Sequence, residues 1–434
     1  MSYVNPFPKG VYLDHNASMP LLKSVREALA CAILEKEELF SNPSSIHTLG
    51  QKGKETLYEL KRELCELLGI KDTEEWILTS GATEAINTVL QSFGGKVLAY
   101  SSVDHAAVFD AHKFVPFKKT FELKVDRNGQ LDRDCLVNFV KEVSEGTLSE
   151  GQFKNDQVLL SWQLTNNETG ICFDLETLAW LKSQLKEKLF VMIDGAQAVG
   201  KLDESFIRLA LHYADYFVFS GHKIGAPAGI GALWIRPRSP YQPLLNGGTQ
   251  EKRRRAGTPN TLGIYGLRVA LADWRQNGSR YRENMLQRRA ELFAALSNVE
   301  GFVVHQNEKA LQFLSNTLNF HFLDCTDESL VLALDLEKLY VSSGSACHSG
   351  SLKASHVLTA MGYSEEEALS SMRVCCGPET SAEEMALFTE RLIHRVKHIR
   401  SSRSKWAELL PEMKASFTKA SEQSIASDAK RVLS

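Results

Sequence analysis

The sequence has no C-x-x-C pair and no Cys/His cluster at zinc-finger spacing. Its eight cysteines are scattered at positions 31, 65, 135, 172, 325, 347, 375 and 376, which argues against a disulfide framework or a structural metal site. No metal ligand set is expected. Long apolar runs are also missing: none approaches the roughly 18 residues of a membrane-spanning helix. The opening MSYVNPFPKG lacks the basic-then-apolar pattern of a secretion signal, so a cytoplasmic protein is expected, without a membrane partner. A formal net charge of −3 supplies no basic footprint for nucleic acid. What remains is a chain of 434 residues, 43% apolar and 24% charged, which suits a globular enzyme of two or three domains.

The organising stretch runs from Leu189 to Lys223. Leu189 to Ile193 is a short β-prone run that stops at Asp194, and Tyr216 to Phe219 is another that stops at Ser-Gly-His-Lys. Two buried strands about thirty residues apart have the size of a βαβ unit. Ligands of open α/β sheets sit beyond the carboxyl ends of the strands, so Asp194 and Lys223 are expected to face one crevice. An acid and a lysine so placed suit pyridoxal phosphate: the lysine forms the Schiff base, and the acid keeps the pyridine nitrogen protonated. From these two residues alone, an ordinary strand-end acid and a surface lysine read equally well.

Other segments repeat the plan. Trp76 to Leu78 runs into Thr-Ser-Gly-Ala-Thr and then a helical pattern, whose small residues and free N–H groups suit an anion. Val97 to Ala111 places His105 just past a strand end, where a helix-start role is the plainer reading. Val158 to Gly170 is a strand that ends in Asn-Asn-Glu-Thr-Gly. GAPAGIGALWIR after Lys223 reads as an antiparallel return, and Thr249 to Asn260 as a dense basic loop, either a solvated charge run or an anion contact. Thr261 to Leu296 reads as a long amphipathic helix leading to a second domain, with strands at Thr317 to Phe322 and Leu339 to Ser342.

The second focal point is Val341 to Leu358. Cys347 lies there among Ser, Gly and Ala, with too little apolar mass for a core, which suits an exposed nucleophilic or carrier thiol on a flexible loop. Arg373, in SSMRVCCG, carries a planar fork that matches a carboxylate. Cys375 and Cys376 read as packing residues.

YLDHNA, SNPSS, TSGATEA, DHAAV, NNETG, DGAQAVGK, FSGHKIGAPAGIGAL, RRRAGTPN, SSGSAC and SSMR stand in this order from about Val11 to about residue 390. In that order they resemble the signature blocks of the cysteine desulfurases, in the class V aminotransferase group of fold type I pyridoxal-phosphate enzymes. The resemblance implies an α/β fold: a large domain with a mostly parallel seven-stranded sheet and a smaller α+β C-terminal domain. It implies an N-terminal segment, residues 1–20, packing with the small domain. The large cofactor-binding domain would span 21–260, the linking helix and small domain 261–400, and a polar tail 401–434.

By position, Lys223 resembles the cofactor-linking lysine, Asp194 the pyridinium partner and His105 the residue stacked on the ring. Asn167 and Gln197 match side chains near the ring oxygen. Ala82, Thr83, Ser220 and His222 match phosphate contacts, and Thr258 one reaching in from the other subunit of a homodimer. Arg373 matches the clamp on the substrate carboxylate, with Asn42 as a helper. Cys347 matches the cysteine that becomes a persulfide, on a loop of the longer type found in the branch serving iron–sulfur assembly. The resemblance thus implies L-cysteine as substrate and a sulfur-acceptor protein, such as an iron–sulfur scaffold or sulfur carrier, as partner. His15, Ser18, Trp162, Gln163 and the CCGPET that follows Arg373 depart from the family pattern.

Overall fold

The structure is a computed structural model that describes residues 10–145, 157–305, 312–325, 327–343, 346–348 and 351–402. Among the described residues the first strand is the short β1 (Val11–Tyr12). Seven further strands then build one sheet. They are β2 (Trp76–Thr79), β3 (Val97–Ser101), β4 (Lys119–Leu123), β5 (Val158–Gln163), β6 (Leu189–Asp194), β7 (Tyr216–Ser220) and β8 (Gly231–Ile235). Their spatial order is β2-β8-β7-β6-β5-β3-β4. All neighbouring pairs among β3 to β7 are parallel, and β8 is antiparallel to both β2 and β7. This is the mostly parallel seven-stranded sheet expected from the sequence, with its antiparallel return in place.

Helices cover both faces, so the inner strands are apolar along their whole length rather than alternating. Every residue of β5, β7 and β8 is buried, whereas the edge strand β4 alternates between half-buried and exposed positions before its buried last residue. β8 fits between its neighbours because Gly231 has no side chain: a Cβ there would lie 2.6 Å from Gly81 Cα. The start of the helix Ala82–Ser92 thereby comes down against the sheet edge.

The helix Thr261–Leu296 matches the amphipathic stretch read from the sequence, and Asn260 caps it by accepting from the Gly263 N–H at 2.9 Å. At 36 residues it is about 54 Å long. It packs on the helices Lys23–Glu35 and Thr48–Leu68 and reaches the second sheet. The chain then forms β9 (Phe302–Val304), β10 (Thr317–Phe322), β11 (Leu339–Tyr340), β12 (Ser342–Ser343), β13 (Ala346–His348), β14 (Ser351–Lys353) and β15 (Ser371–Cys375). Four of them form an antiparallel sheet in the order β12-β15-β10-β9. The strand expected at Leu339 to Ser342 is split. β11 pairs parallel with β1, while β12 turns to pair with β15.

Two other expectations change. The Ser/Gly-rich stretch around Cys347, read as a loop, contains an antiparallel hairpin in which β13 pairs with β14 and Cys347 stands opposite Leu352. The basic loop spends charges inside the chain. Arg255 forms an ion pair with Glu84 at 2.9 Å, and Arg254 donates to the Trp76 and Glu251 carbonyls. The final helix runs over 382–402, and the rest of the expected polar tail lies outside the described residues. Among the described residues, no helix is long and apolar enough to cross a membrane.

Candidate active site

The strands β3, β5, β6 and β7 are parallel neighbours, so their carboxyl ends meet at one edge of the sheet. There the backbone changes to turns and short helices, and polar side chains collect. A cavity of about 400 Å³ opens at this edge. Ala82, Thr83, His105, Asn167, Asp194, Gln197, Ser220, His222 and Lys223 all line it. Chain segments some 140 residues apart thus deliver nine of the sequence-expected side chains to one place.

Each group has an identifiable support. Asp194 ends β6, and its Oδ1 accepts from the Ala196 N–H at 2.9 Å. Burial raises its carboxyl above the usual range, against the pull of that N–H and of His105 and Lys223. Lys223 sits in the single helical turn Gly221–Ile224 that follows β7, closed by Gly225 at φ +79°. Its Nζ donates to the Asn16 and Ala17 carbonyls at 2.7 and 2.8 Å. Burial, helped by the Arg373 cation, lowers this ammonium to about 8. A lysine so depressed is more easily neutral, as a nucleophilic amine must be.

His105 caps the short helix Ala106–Phe109, its Nδ1 accepting from the Ala107 N–H at 3.1 Å. That bond leaves Nε2 as the protonated nitrogen of the neutral ring. Burial lowers its basicity, with Asp194 opposing. Ser220 Oγ and His222 Nδ1 lie 2.9 Å apart on the same wall, and burial followed by the Lys223 cation lowers His222 to about 4. The helix Ala82–Ser92 has Gly81 as its N-cap, with no side-chain capping bond, so its first N–H groups remain to receive an anion.

Four expected residues are not on the cavity wall. Arg373, on β15, reaches its edge by donating from Nη1 to the Asn167 carbonyl at 3.2 Å. Asn42 is exposed, and its Oδ1 is taken by the Ser44 N–H at 2.9 Å in a local turn. Thr258 is exposed and lines a smaller adjoining cavity of about 90 Å³, which shares Ser80 and Gly229 with the main one. Cys347 is placed by its backbone on β13, and its side chain lies outside the described residues. Cys375 and Cys376 are buried free thiols, as packing residues should be, and burial raises both.

Sequence reasoning missed several residues. Asp14 pairs with Arg373 at 2.8 Å. Asn16 is a hub: its carbonyl accepts from Lys223 and Gln197, and its amide reaches Thr317 and Asn167. Lys201 donates to Asn16 and Gln197. The YLDHNA block marked the segment, but no local signal shows that it crosses the sheet edge.

The donor set fits pyridoxal phosphate. A depressed lysine and a buried carboxylate share the cavity, and an uncapped helix start with a serine and a histidine forms the anion end. The sequence model of the class-V aminotransferases matches residues 11–388. A protein from Dictyoglomus turgidum named cysteine desulfurase IscS is 33% identical over 411 residues, covering 91% of this chain and 98% of its own. A solved NifS-like protein from Rickettsia africae superposes with a TM-score of 0.75 at 26% identity, covering 90% of this chain and 99% of that one. A structure described as SspA in complex with cysteine superposes at 0.65 with 26% identity, covering 86% and 100%. With the family match spanning most of the chain and the cavity carrying the matching residues, this chain belongs to the class-V aminotransferase family and, within it, to the cysteine desulfurases.

Proposed function

We propose that the protein takes sulfur from L-cysteine, releases L-alanine and holds the sulfur as a persulfide on Cys347. The observation that carries this reading is the shared cavity of Lys223 and Asp194 at the ends of the neighbouring strands β7 and β6. Pyridoxal phosphate, when bound, supplies an electron sink for the carbon next to the amino group. Lys223 would supply the amine that links to it, and Asp194 would serve its ring nitrogen. Ala82, Thr83, Ser220 and His222 would hold its phosphate, and Asn167 and Gln197 would serve its ring oxygen. His105 would pack against the ring.

Arg373 takes the substrate carboxylate, with Asn42 as helper. Lys223 and His105 move the substrate's α-proton, a task suited to a depressed amine and a neutral imidazole. The Cys347 thiolate then attacks the substrate sulfur. A sulfur–sulfur bond forms, the substrate's carbon–sulfur bond breaks, and a proton goes to that carbon to give alanine. Cysteine plus one enzyme thiol becomes alanine plus one enzyme persulfide, so no external oxidant is needed.

The same reading includes a cytoplasmic homodimer in which Thr258 contacts the cofactor phosphate of the other subunit. The exposed position of Thr258 and the exposed Ile33, Leu34, Phe40 and Ile46 support such an interface. It includes a sulfur-acceptor protein. It also keeps residues 1–20 with the small domain, 21–260 as the cofactor domain, 261–400 as linker and small domain, and 401–434 as a tail. The pairing of β1 with β11 supports the first of these.

The test is to load the purified chain with pyridoxal phosphate, add L-cysteine and a reducing thiol, and measure alanine and sulfide. Equal release of both is expected. A lysine-linked visible band without alanine formation would leave a cofactor protein with a different substrate and end the desulfurase reading.

A further inference from the structure

Lys201 is among the most enclosed charged side chains in the molecule, at 1% exposure, yet it does not touch the cavity. It follows β6 by one irregular turn. Gly200 makes that turn possible: its φ is +78°, and a Cβ there would lie 2.8 Å from the Trp274 ring. The lysine therefore points inward, beneath Gln197. Its Nζ donates to Gln197 Oε1 at 2.6 Å and to Asn16 Oδ1 at 2.8 Å.

This contact removes an ambiguity. A primary amide can present either its oxygen or its nitrogen to a neighbour. Lys201 offers N–H groups, so the atom it meets is the amide oxygen. On the other side, Gln197 Nε2 donates to the Asn16 carbonyl at 2.9 Å, an oxygen that can only accept. Both partners demand the same orientation. The Asn16 carbonyl is also an acceptor for Lys223, so the network meets the cavity at two side chains. Burial, with Lys223 adding repulsion, lowers Lys201 to about 7. The two bonds use only two of its three protons and persist when the third is lost.

We propose that Lys201 is a positioning residue for the cofactor site: it commits the Gln197 oxygen away from the cavity and leaves Nε2 as the group that donates to the ring oxygen of pyridoxal phosphate. This rests on the cofactor reading above and extends it to a residue outside the cavity wall. The effect of losing Lys201 is focused on one atom. Asn16 Oδ1 keeps a second donor, Asn316 Nδ2 at 3.1 Å, whereas Lys201 is the sole donor to Gln197 Oε1 among the described residues.

The experiment is a double-mutant cycle on the full chain, with the dissociation constant of pyridoxal phosphate read from absorbance and fluorescence. Lys201→Met keeps the length of the stem and removes the donors. It is expected to weaken binding by roughly tenfold, the loss typical of one hydrogen bond to a charged group. Gln197→Ala is expected to cost a similar factor. The double variant should be no weaker than Gln197→Ala alone, because Lys201 acts through Gln197. Multiplicative losses in the double variant, or an unchanged dissociation constant in Lys201→Met, would overturn the proposal. Should Lys201→Met not fold, Lys201→Gln decides: its amide can still donate to Gln197 and should bind within about threefold of the wild type. A loss of tenfold or more there also overturns it. Failure of the wild type to bind the cofactor would sink the functional reading itself, whereas additivity in a wild type that binds sinks only this inference.

Discussion

Arg373 Nη2 lies 2.8 Å from Asp14 Oδ1, joining residues 359 positions apart in the chain. The pair stitches β15 to the segment after β1, and Ser342 Oγ accepts from the same nitrogen at 2.9 Å. Nη1 donates to the Asn167 carbonyl at 3.2 Å, so both terminal nitrogens are fixed, and the buried Nε has no partner among the described residues. In the proposed role, a guanidinium already oriented by one acid would take the substrate carboxylate.

Removing Arg373 should therefore do two separable things. Arg373→Ala leaves Asp14 without its cation and is expected to cost about 3 kcal/mol, the lower end for breaking a largely buried pair. It should also abolish cysteine binding. The double variant Asp14→Asn with Arg373→Met should regain most of the stability and none of the binding. Urea unfolding and the KM for cysteine check the two halves. Loss of stability in the double variant equal to that in Arg373→Ala would refute the division.

Lys223 is the only lysine among the described residues that lines the main cavity. Lys223→Ala is therefore expected to eliminate both the visible absorption of the lysine-linked cofactor and all turnover. The cofactor can still dock through the anion end, so equilibrium dialysis should detect residual binding. A variant with a normal spectrum would show that another amine serves.

Asp104 provides a test by pH. It is 1% exposed, and its Oδ2 accepts from the Ser101 N–H at 3.2 Å. Burial pushes its carboxyl from 3.8 up to about 8. The folded state then binds more protons than the unfolded state between these values, so stability from this group falls as pH rises from about 4 to about 8. Asp104→Asn removes the titration. The stability difference, variant minus wild type, should grow from about pH 5 to about pH 8 in the cofactor-free protein, which urea midpoints measure. Taking the difference cancels the opposite trends of Lys223 and Lys201, whose lowered values favour high pH. A difference independent of pH would place the ionised form of Asp104 in the native protein.

The strand ends were readable because each pairs a short apolar run with an abrupt polar stop. Asp194, Ser220 and Lys223 carry that signal locally, and the parallel order of their strands converts it into a shared edge. Asp14, Asn16 and Lys201 carry no comparable signal. Each gains its role from a partner far along the chain: Lys201 looks like a surface lysine until the turn at Gly200 points it inward. Asn42 and Thr258 show the converse. Their motifs resemble family blocks, but the fold of one chain leaves both exposed and off the wall of the main cavity.

The last prediction separates cofactor chemistry from sulfur capture. β14, partner of the strand bearing Cys347, leads into Ser355, whose Oγ donates to Glu168 Oε2 at 2.6 Å and accepts from the Leu358 N–H at 3.2 Å. The next residue, His356, donates from Nε2 to the Asp104 carbonyl at 3.0 Å, and its ring lies 4.7 Å from that of Phe109. The base of the hairpin is thus pinned to the loops that follow β3 and β5, beside His105 and Asn167. Cys347→Ser leaves every one of these contacts, along with Lys223, Asp194 and Arg373. Cofactor should bind normally and cysteine should still perturb its spectrum, but no persulfide should form, because a serine hydroxyl is a far weaker nucleophile than a thiolate. Ser355→Ala removes the tether and a helix cap worth about 1 kcal/mol, while the thiol stays. Persulfide formation in a single turnover should slow with the cofactor's dissociation constant unchanged, since the tether positions the hairpin and not the cofactor. Sulfur-labelled cysteine, added without reductant and followed by peptide mapping, reads both variants. Label on Cys375, Cys376 or any thiol other than Cys347, or a Cys347→Ser variant that desulfurates cysteine at the wild-type rate, would show that sulfur leaves by another route.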